Sequence, residues 1–182
     1  MKRTCTIRKN AGVTLLELMI VIVVAAILTA MAAPSFNELI RDMRMSSAAS
    51  QLFVDLNQAR SEAIKRNTWV LVCAKPSGAT PTDCAAVVNW ANGWLVCAGT
   101  NTTGVAVCDA PIAGNPNPIV VRGPIHSTLL LTAPTTIGVR FNPNGTVDAI
   151  NTLQLKGNWI NSKTRNQTIS VTGNIKSTTS TY

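Results

Sequence analysis

Between Val13 and Ala33 the chain holds 21 residues that are apolar except for two threonines and one carboxylate, Glu17. As a helix rising about 1.5 Å per residue this run would extend roughly 32 Å, enough to cross the ~30 Å hydrocarbon core of a bilayer. Lys2, Arg3, Arg8 and Lys9 precede it with no acid among them. Such a basic flank predicts a cytoplasmic N-terminus and a C-terminal part on the far side of the membrane. A secretory signal peptide is the rival reading, since TAMAAP offers a small-residue cleavage site near Ala33. That reading leaves Glu17 without a purpose, because an acid inside an apolar helix is costly and ordinarily has a partner.

The segment Gly12-Val13-Thr14-Leu15-Leu16-Glu17 resembles the processing site of type IV prepilins, GFTLIE in its common form. The resemblance implies cleavage by a prepilin peptidase after Gly12, on the cytoplasmic side, and N-methylation of Val13. Val13 departs from the usual phenylalanine. Glu17 then becomes the fifth mature residue and neutralises the terminal amine of a neighbouring subunit, which would set axial register, because a paired buried charge costs far less than an unpaired one. The organisation expected is a leader over 1–12, a transmembrane and filament-core helix over 13–34, an amphipathic helix over 35–66 and a β-rich head over 67–182. The partners implied are other pilin subunits, the assembly machinery, the peptidase and, before assembly, the inner membrane, with the head periplasmic and the subunit later in a filament or at the cell surface.

Pro34 ends the apolar run, as a bend within one helix or as a break, with Ser35 a new N-cap and Glu38 completing a capping box. Beyond it Met45, Ala49, Leu52, Leu56, Ala59 and Ala63 recur three or four apart and mark one apolar helix face. Arg41, Arg44, Asp55, Arg60, Glu62 and Lys65 are assigned mostly to the remaining surface. After Asn67 come short runs rich in β-branched residues: TWVLVCA, GWLVCAG, PIVVRG, STLLLT, TIGVRFN, LQLK and TISV, separated by Gly, Pro and Asn clusters. Asn142-Pro143-Asn144-Gly145 reads as a turn between Phe141 and Val147. The fold class expected is α+β: a long N-terminal helix packed on one antiparallel sheet system.

ARSEAIKRN (59–67), VLVC (70–73), NGW (92–94) and RFNPNGTV (140–147) resemble the FimT/FimU/GspH group of minor pilins and pseudopilins. Three functions are compatible with that group. A minor pilin supporting assembly of a type IV pilus is the preferred one, on the cysteine-containing VLVC region. The others are a pseudopilin of a type II secretion system and a DNA-binding minor pilin for natural transformation. Some group members carry a Gly-Arg-x-Arg or Gly-Arg-x-Lys motif, matched here by Gly173-Asn174-Ile175-Lys176 with asparagine at the first basic position. Of the 16 Lys and Arg, four lie in the leader, so 12 face 8 Asp and Glu in the rest, a residual +4. No acid follows Asp148, which makes Lys163, Arg165 and Lys176, beside Lys156, the candidate phosphate contacts.

Cys5 falls in the leader, leaving Cys73, Cys84, Cys97 and Cys108. An even count in an exported domain predicts two disulfides. The spacing favours Cys73–Cys84 and Cys97–Cys108; Cys73–Cys97 with Cys84–Cys108 stays open if those strands are neighbours. Without a C-x-x-C pair, no zinc or other metal site is expected, and no cofactor. No catalytic residues are assigned: His126 is the single histidine, Asp83, Asp109 and Asp148 stand alone near turns, and Gly104 and Gly145 read as turn glycines. Trp94 is assigned to the core. Trp90 and Trp159, lying among asparagines, are candidate subunit contacts, with core packing the favoured alternative.

Overall fold

The computed structural model describes residues 12–77, 84–99, 108 and 116–180, with backbone alone over 31–35. The chain divides into two compact units, one ending at Ile40 and the other beginning at Arg41. Helix α1 (Leu15–Arg66) contributes to both.

Thr14 starts the helix. Its Oγ1 accepts from the Glu17 N–H at 3.2 Å, and its carbonyl accepts from the Leu18 N–H at 3.2 Å. Thr-x-x-Glu at this place is a helix-start signature, and the acid in the first turn complements the helix dipole. The helix continues through Pro34, so the chain does not adopt the break with Ser35 as a new cap. The large apolar side chains from Val13 to Leu28 are exposed in the isolated chain. Among the described residues no helix is long and apolar enough to cross a membrane; the run expected to do so ends in residues 31–33, whose side chains lie outside the described set.

The helix ends by a mechanism readable from its dihedral angles. Asn67 takes φ 51°, the left-handed region that Asn tolerates better than most residues. That lets the Asn67 N–H donate to Ile64 O at 3.3 Å and the Thr68 N–H to Ala63 O at 3.2 Å. These are the two bonds of a Schellman cap, and Lys65 and Arg66 add favourable charge in the last turn.

The strands form two sheets rather than one continuous system. β1 (Val70–Ala74), β2 (Trp94–Ala98), β3 (Val120–Val121) and β5 (Val139–Phe141) make the first, in the order β3-β2-β1-β5. β4 (Leu129–Thr132), β6 (Asn151–Gly157), β7 (Thr164–Ile169) and β8 (Ile175–Ser180) make the second, in the order β4-β6-β7-β8. Every pairing is antiparallel. Segment 88–90 couples the sheets: the Trp90 N–H donates to Leu131 O at 2.9 Å and the Ala133 N–H to Val88 O at 2.9 Å.

The apolar stripe of α1 from Met45 to Ala63 is buried against both sheets, meeting Val72, Val96 and Phe141 of the first and Leu131, Leu153 and Ile169 of the second in one core. The α+β arrangement read from the sequence is the one observed. β8 escaped that reading, and of β7 only the end that falls in TISV was read. β8 has Ile175 as its one buried residue. β7 lies in the middle of its sheet, but Gln167, rather than an apolar residue, fills an inward position, with its amide Nε2 donating to Ala49 O at 3.3 Å.

Candidate functional site

Gly12, Val13 and Glu17 are exposed at the start of the first unit. Among the described residues, a Cβ built on Gly12 would meet nothing within 4 Å. Packing among the described residues therefore makes no demand for glycine there. The ion pairs among the described residues do not include Glu17.

In the second unit the central polar feature is Asp55, which lies on the buried stripe and not on the outer surface to which its charge assigned it. The correction follows from spacing: Asp55 is three residues after Leu52 and four before Ala59, which places it on the same face. Its side chain is 0% exposed. Arg122 grips it with both prongs, Nε to Oδ2 at 2.8 Å and Nη2 to Oδ1 at 2.8 Å. The Trp94 indole N–H donates to Oδ2 at 2.8 Å. The hydrogen bonding of Arg122 to Asp55, helped by the Asp55 charge, holds the Arg122 pKa above its ordinary value against a smaller opposing effect of burial. The fold delivers Arg122 through Gly93, whose φ of +90° and close approach to the Arg122 and Gly123 carbonyls leave no room for a side chain. The Arg122 N–H then donates to Trp94 O at 2.9 Å, continuing the β2–β3 ladder.

Beside this cluster Arg44, Gln51, Arg122, Ile125 and His126 help line a pocket of about 310 Å³, with Trp94 and Leu129 also in its wall. Arg44 Nη1 lies 2.9 Å from His126 Nε2, and His126 Nδ1 lies 2.8 Å from Thr128 Oγ1. Sequence reasoning passed over Arg44 and Arg122. The signal for Arg122 was the need of a buried Asp for a cation.

Cys73 is bonded to Cys84 and Cys97 to Cys108. The Sγ atoms of Cys73, Cys84 and Cys97 lie within 4.8 Å of one another, because Cys73 pairs with Leu95 and Cys97 with Leu71 across β1 and β2, two places apart on one face. Thiolate metal ligation is closed to these sulfurs while the disulfides stand.

The three candidate phosphate contacts are not brought together. Lys163 Nζ pairs with Asp42 Oδ2 at 2.6 Å. Arg165 pairs across the sheet with Thr179, and Lys176 with Thr168. Alternation along β7 then puts Arg165 and Lys176 on opposite faces. Arg165 lines a smaller pocket with Phe53 and Val54 of α1 and has a buried Nε with no acceptor among the described residues, whereas Lys176 is exposed. Gly173, with φ +76°, packs against Gly145 O and Arg60. Arg60 donates from Nε to Gly145 O and from Nη2 to Thr172 O, both at 3.1 Å, so the Gly173 turn is clamped to the helix.

Trp94 lies in the core, as read. Trp90 is also fully buried, not a contact surface, because segment 88–90 runs along β4. Trp159 is half-buried under the Arg41 guanidinium, 5.7 Å from the ring centre. Asp148 does not stand alone: it pairs with Arg140 and accepts from Asn142 Nδ2 at 3.1 Å, and these bonds hold its carboxyl below the usual range. Asp83, Asp109, Gly104 and Cys5 lie outside the described residues.

Residues 48–174 match the family described as type II transport protein GspH, and residues 7–33 match the prokaryotic N-terminal methylation motif. The chain is similar in fold to crystal structures of the type IV minor pilin FimU of Pseudomonas aeruginosa strain PAO1. In space group P21 the TM-score is 0.53 at 23% identity, over 72% of this chain and 86% of that one. In space group P65 it is 0.50 at 23% identity, over 73% and 91%. No curated protein matches the chain. Members of this family are structural subunits rather than enzymes, made as prepilins and assembled with other pilins. A methylation motif leading into one long helix, followed by a helix-and-two-sheet head that matches over most of its length, makes this chain a member of the GspH family of type IV pilin-like proteins.

Proposed function

We propose that the chain is a minor pilin that enters a type IV pilus and supports its assembly. The observation that favours the pilus is the similarity of fold to a minor pilin over most of both chains. Residues 1–12 are then the leader, 13–34 the segment held in the inner membrane and later in the filament core, 35–66 the helix that seats the head, and 67–182 the head, periplasmic before assembly. Gly12 is the peptidase site, which agrees with the open space around it among the described residues, and Glu17 pairs with the terminal amine of a neighbouring Val13.

Deleting the gene in its native host should reduce surface pili and twitching motility while leaving type II secretion intact. Blots of sheared pili should contain the chain, and Glu17→Ala should be processed yet missing from them. A secretion defect with normal pili would overturn the pilus assignment. It would support the pseudopilin reading, which the family description itself favours.

A further inference from the structure

The pocket beside Asp55 is unbalanced in hydrogen-bonding terms. An arginine N–H can only donate, so His126 Nε2 must accept from Arg44, and the imidazole proton then sits on Nδ1 toward Thr128 Oγ1. Yet the Thr128 backbone N–H also points at Nδ1, at 3.2 Å. His126 thus meets donors at both ring nitrogens and, when neutral, can accept at only one. Among the described residues Arg44 has no acidic partner, and no acid lines the pocket. Arg122 spends Nε and Nη2 on Asp55, which neutralises its charge. The pocket therefore holds surplus donors, few acceptors and one uncompensated positive charge, on Arg44.

We propose that this pocket is a recognition site for a carboxylate. A planar carboxylate matches the guanidinium fork, supplies acceptors to several donors at once and carries the single charge that Arg44 lacks. A phosphate dianion would bring a second charge with no partner. Trp94, Ile125 and Leu129 supply apolar wall for the carbon skeleton that bears the carboxylate, and about 310 Å³ suits one side chain or a small acid. The carboxylate comes from an acidic side chain of another protein chain or from a free small acid. The site does not depend on which filament the chain serves.

His126 is the single histidine of the chain, so its imidazole Cε1–H resonance reports on the pocket without assignment ambiguity. The full chain in detergent would be titrated at pH 8, where imidazoles are ordinarily neutral, with Ac-Ala-Glu-Ala-NH2, Ac-Ala-Gln-Ala-NH2, sodium propanoate and sodium chloride at matched ionic strength. The expected result is a saturable shift with the Glu peptide and none with the Gln peptide or chloride. Tighter saturation by propanoate than by the Glu peptide assigns the site to free acids; tighter saturation by the peptide assigns it to another chain. Arg44→Gln should weaken binding by roughly tenfold or more, and Arg44→Lys by less, since the charge stays while the fork is lost. Equal shifts with the Gln peptide or chloride, no saturation by either carboxylate, or undiminished binding in Arg44→Gln would overturn the proposal.

Discussion

The two sheets of the head share one helix and one core but are finished differently on their far sides. In the β1–β2 pair every residue is buried, VLVCA against WLVCA. Val70, Val72 and Val96 face the helix, and Leu71, Cys73, Leu95 and Cys97 face away from it. That second face also carries the two disulfides, which tie β1 to Cys84 and β2 to Cys108. In the β6–β7–β8 sheet the helix side is covered, and among the described residues much of the other face is exposed. Leu153 and Leu155 point in, while Gln154, Lys156, Lys176 and Thr178 are exposed on the other face. Continuous apolar strands thus signal a sheet covered on both faces, and alternating strands a sheet with a solvated face. Both sheets pack on the helix; the first adds two disulfides and the buried Asp55–Arg122 pair, the second the exposed Lys163–Asp42 pair and the Arg60 clamp on the Gly173 turn.

Breaking the ionic tie should have the largest effect, and an unequal one. Arg122→Met leaves the Asp55 carboxylate buried without a counter-charge and should cost about 3–5 kcal/mol of unfolding free energy in urea titration. Asp55→Asn should cost less, because Arg122 keeps access to water and the Trp94 N–H keeps an oxygen acceptor. Equal losses would mean that Asp55 is not the stranded charge.

The covalent ties come next. Each disulfide closes a short loop, worth about 3 kcal/mol in the chain-entropy model, so Cys97→Ser with Cys108→Ser should lower the melting temperature markedly. Hydrogen exchange should rise first in β1 and β2 and barely change in β6 and β7. Because Cys73 and Cys97 sulfurs are neighbours, Cys84→Ser alone should yield a fraction of Cys73–Cys97 on non-reducing peptide mapping. Absence of that species would show the strand faces to be held further apart.

A smaller effect belongs to Glu62, whose carboxyl is held below its ordinary value of 4.5, chiefly by the hydrogen bond from Arg66 at 2.6 Å. A lowered folded-state pKa stabilises above that value, and the contribution is lost as pH falls through the lowered one. Arg66 also donates to Pro116 O at 3.4 Å, in the segment before β3. Arg66→Gln should therefore flatten the acid limb of the stability curve below about pH 4.5, by no more than about 1 kcal/mol.

The least effect is expected on the solvated face. Gln154→Glu and Thr178→Val should each change stability by less than about 0.5 kcal/mol. A larger loss would show that this face is covered as the first sheet is.

The sequence made some of this legible and concealed the rest for physical reasons. The helix stripe, the strands of the first sheet and the motif from Gly12 to Glu17 are carried by apolar periodicity or contiguous signature, and both survive without tertiary context. Asp55 was misassigned because charge outweighed spacing, although its interval from Leu52 and Ala59 already placed it inside. β8 and the first part of β7, before TISV, were hidden because neighbouring strands hold them through backbone ladders, while their own side chains are mostly Thr, Ser, Asn and Gln. Lys163, Arg165 and Lys176 look like one basic group along the chain. Strand alternation and the Asp42 pair separate them, and neither is visible from composition. The pocket at Arg44 joins a helix to a segment some eighty residues later in the chain, a contact no local pattern announces.

Everything proposed for the first unit rests on one processing event, which intact-mass and N-terminal fragment analysis of the protein from its native host reads directly. The expected product begins at Val13, carries one methyl group on its amine and retains the whole helix from Leu15. A product beginning at Pro34, or one retaining Met1 to Gly12, would contradict assembly as a processed pilin.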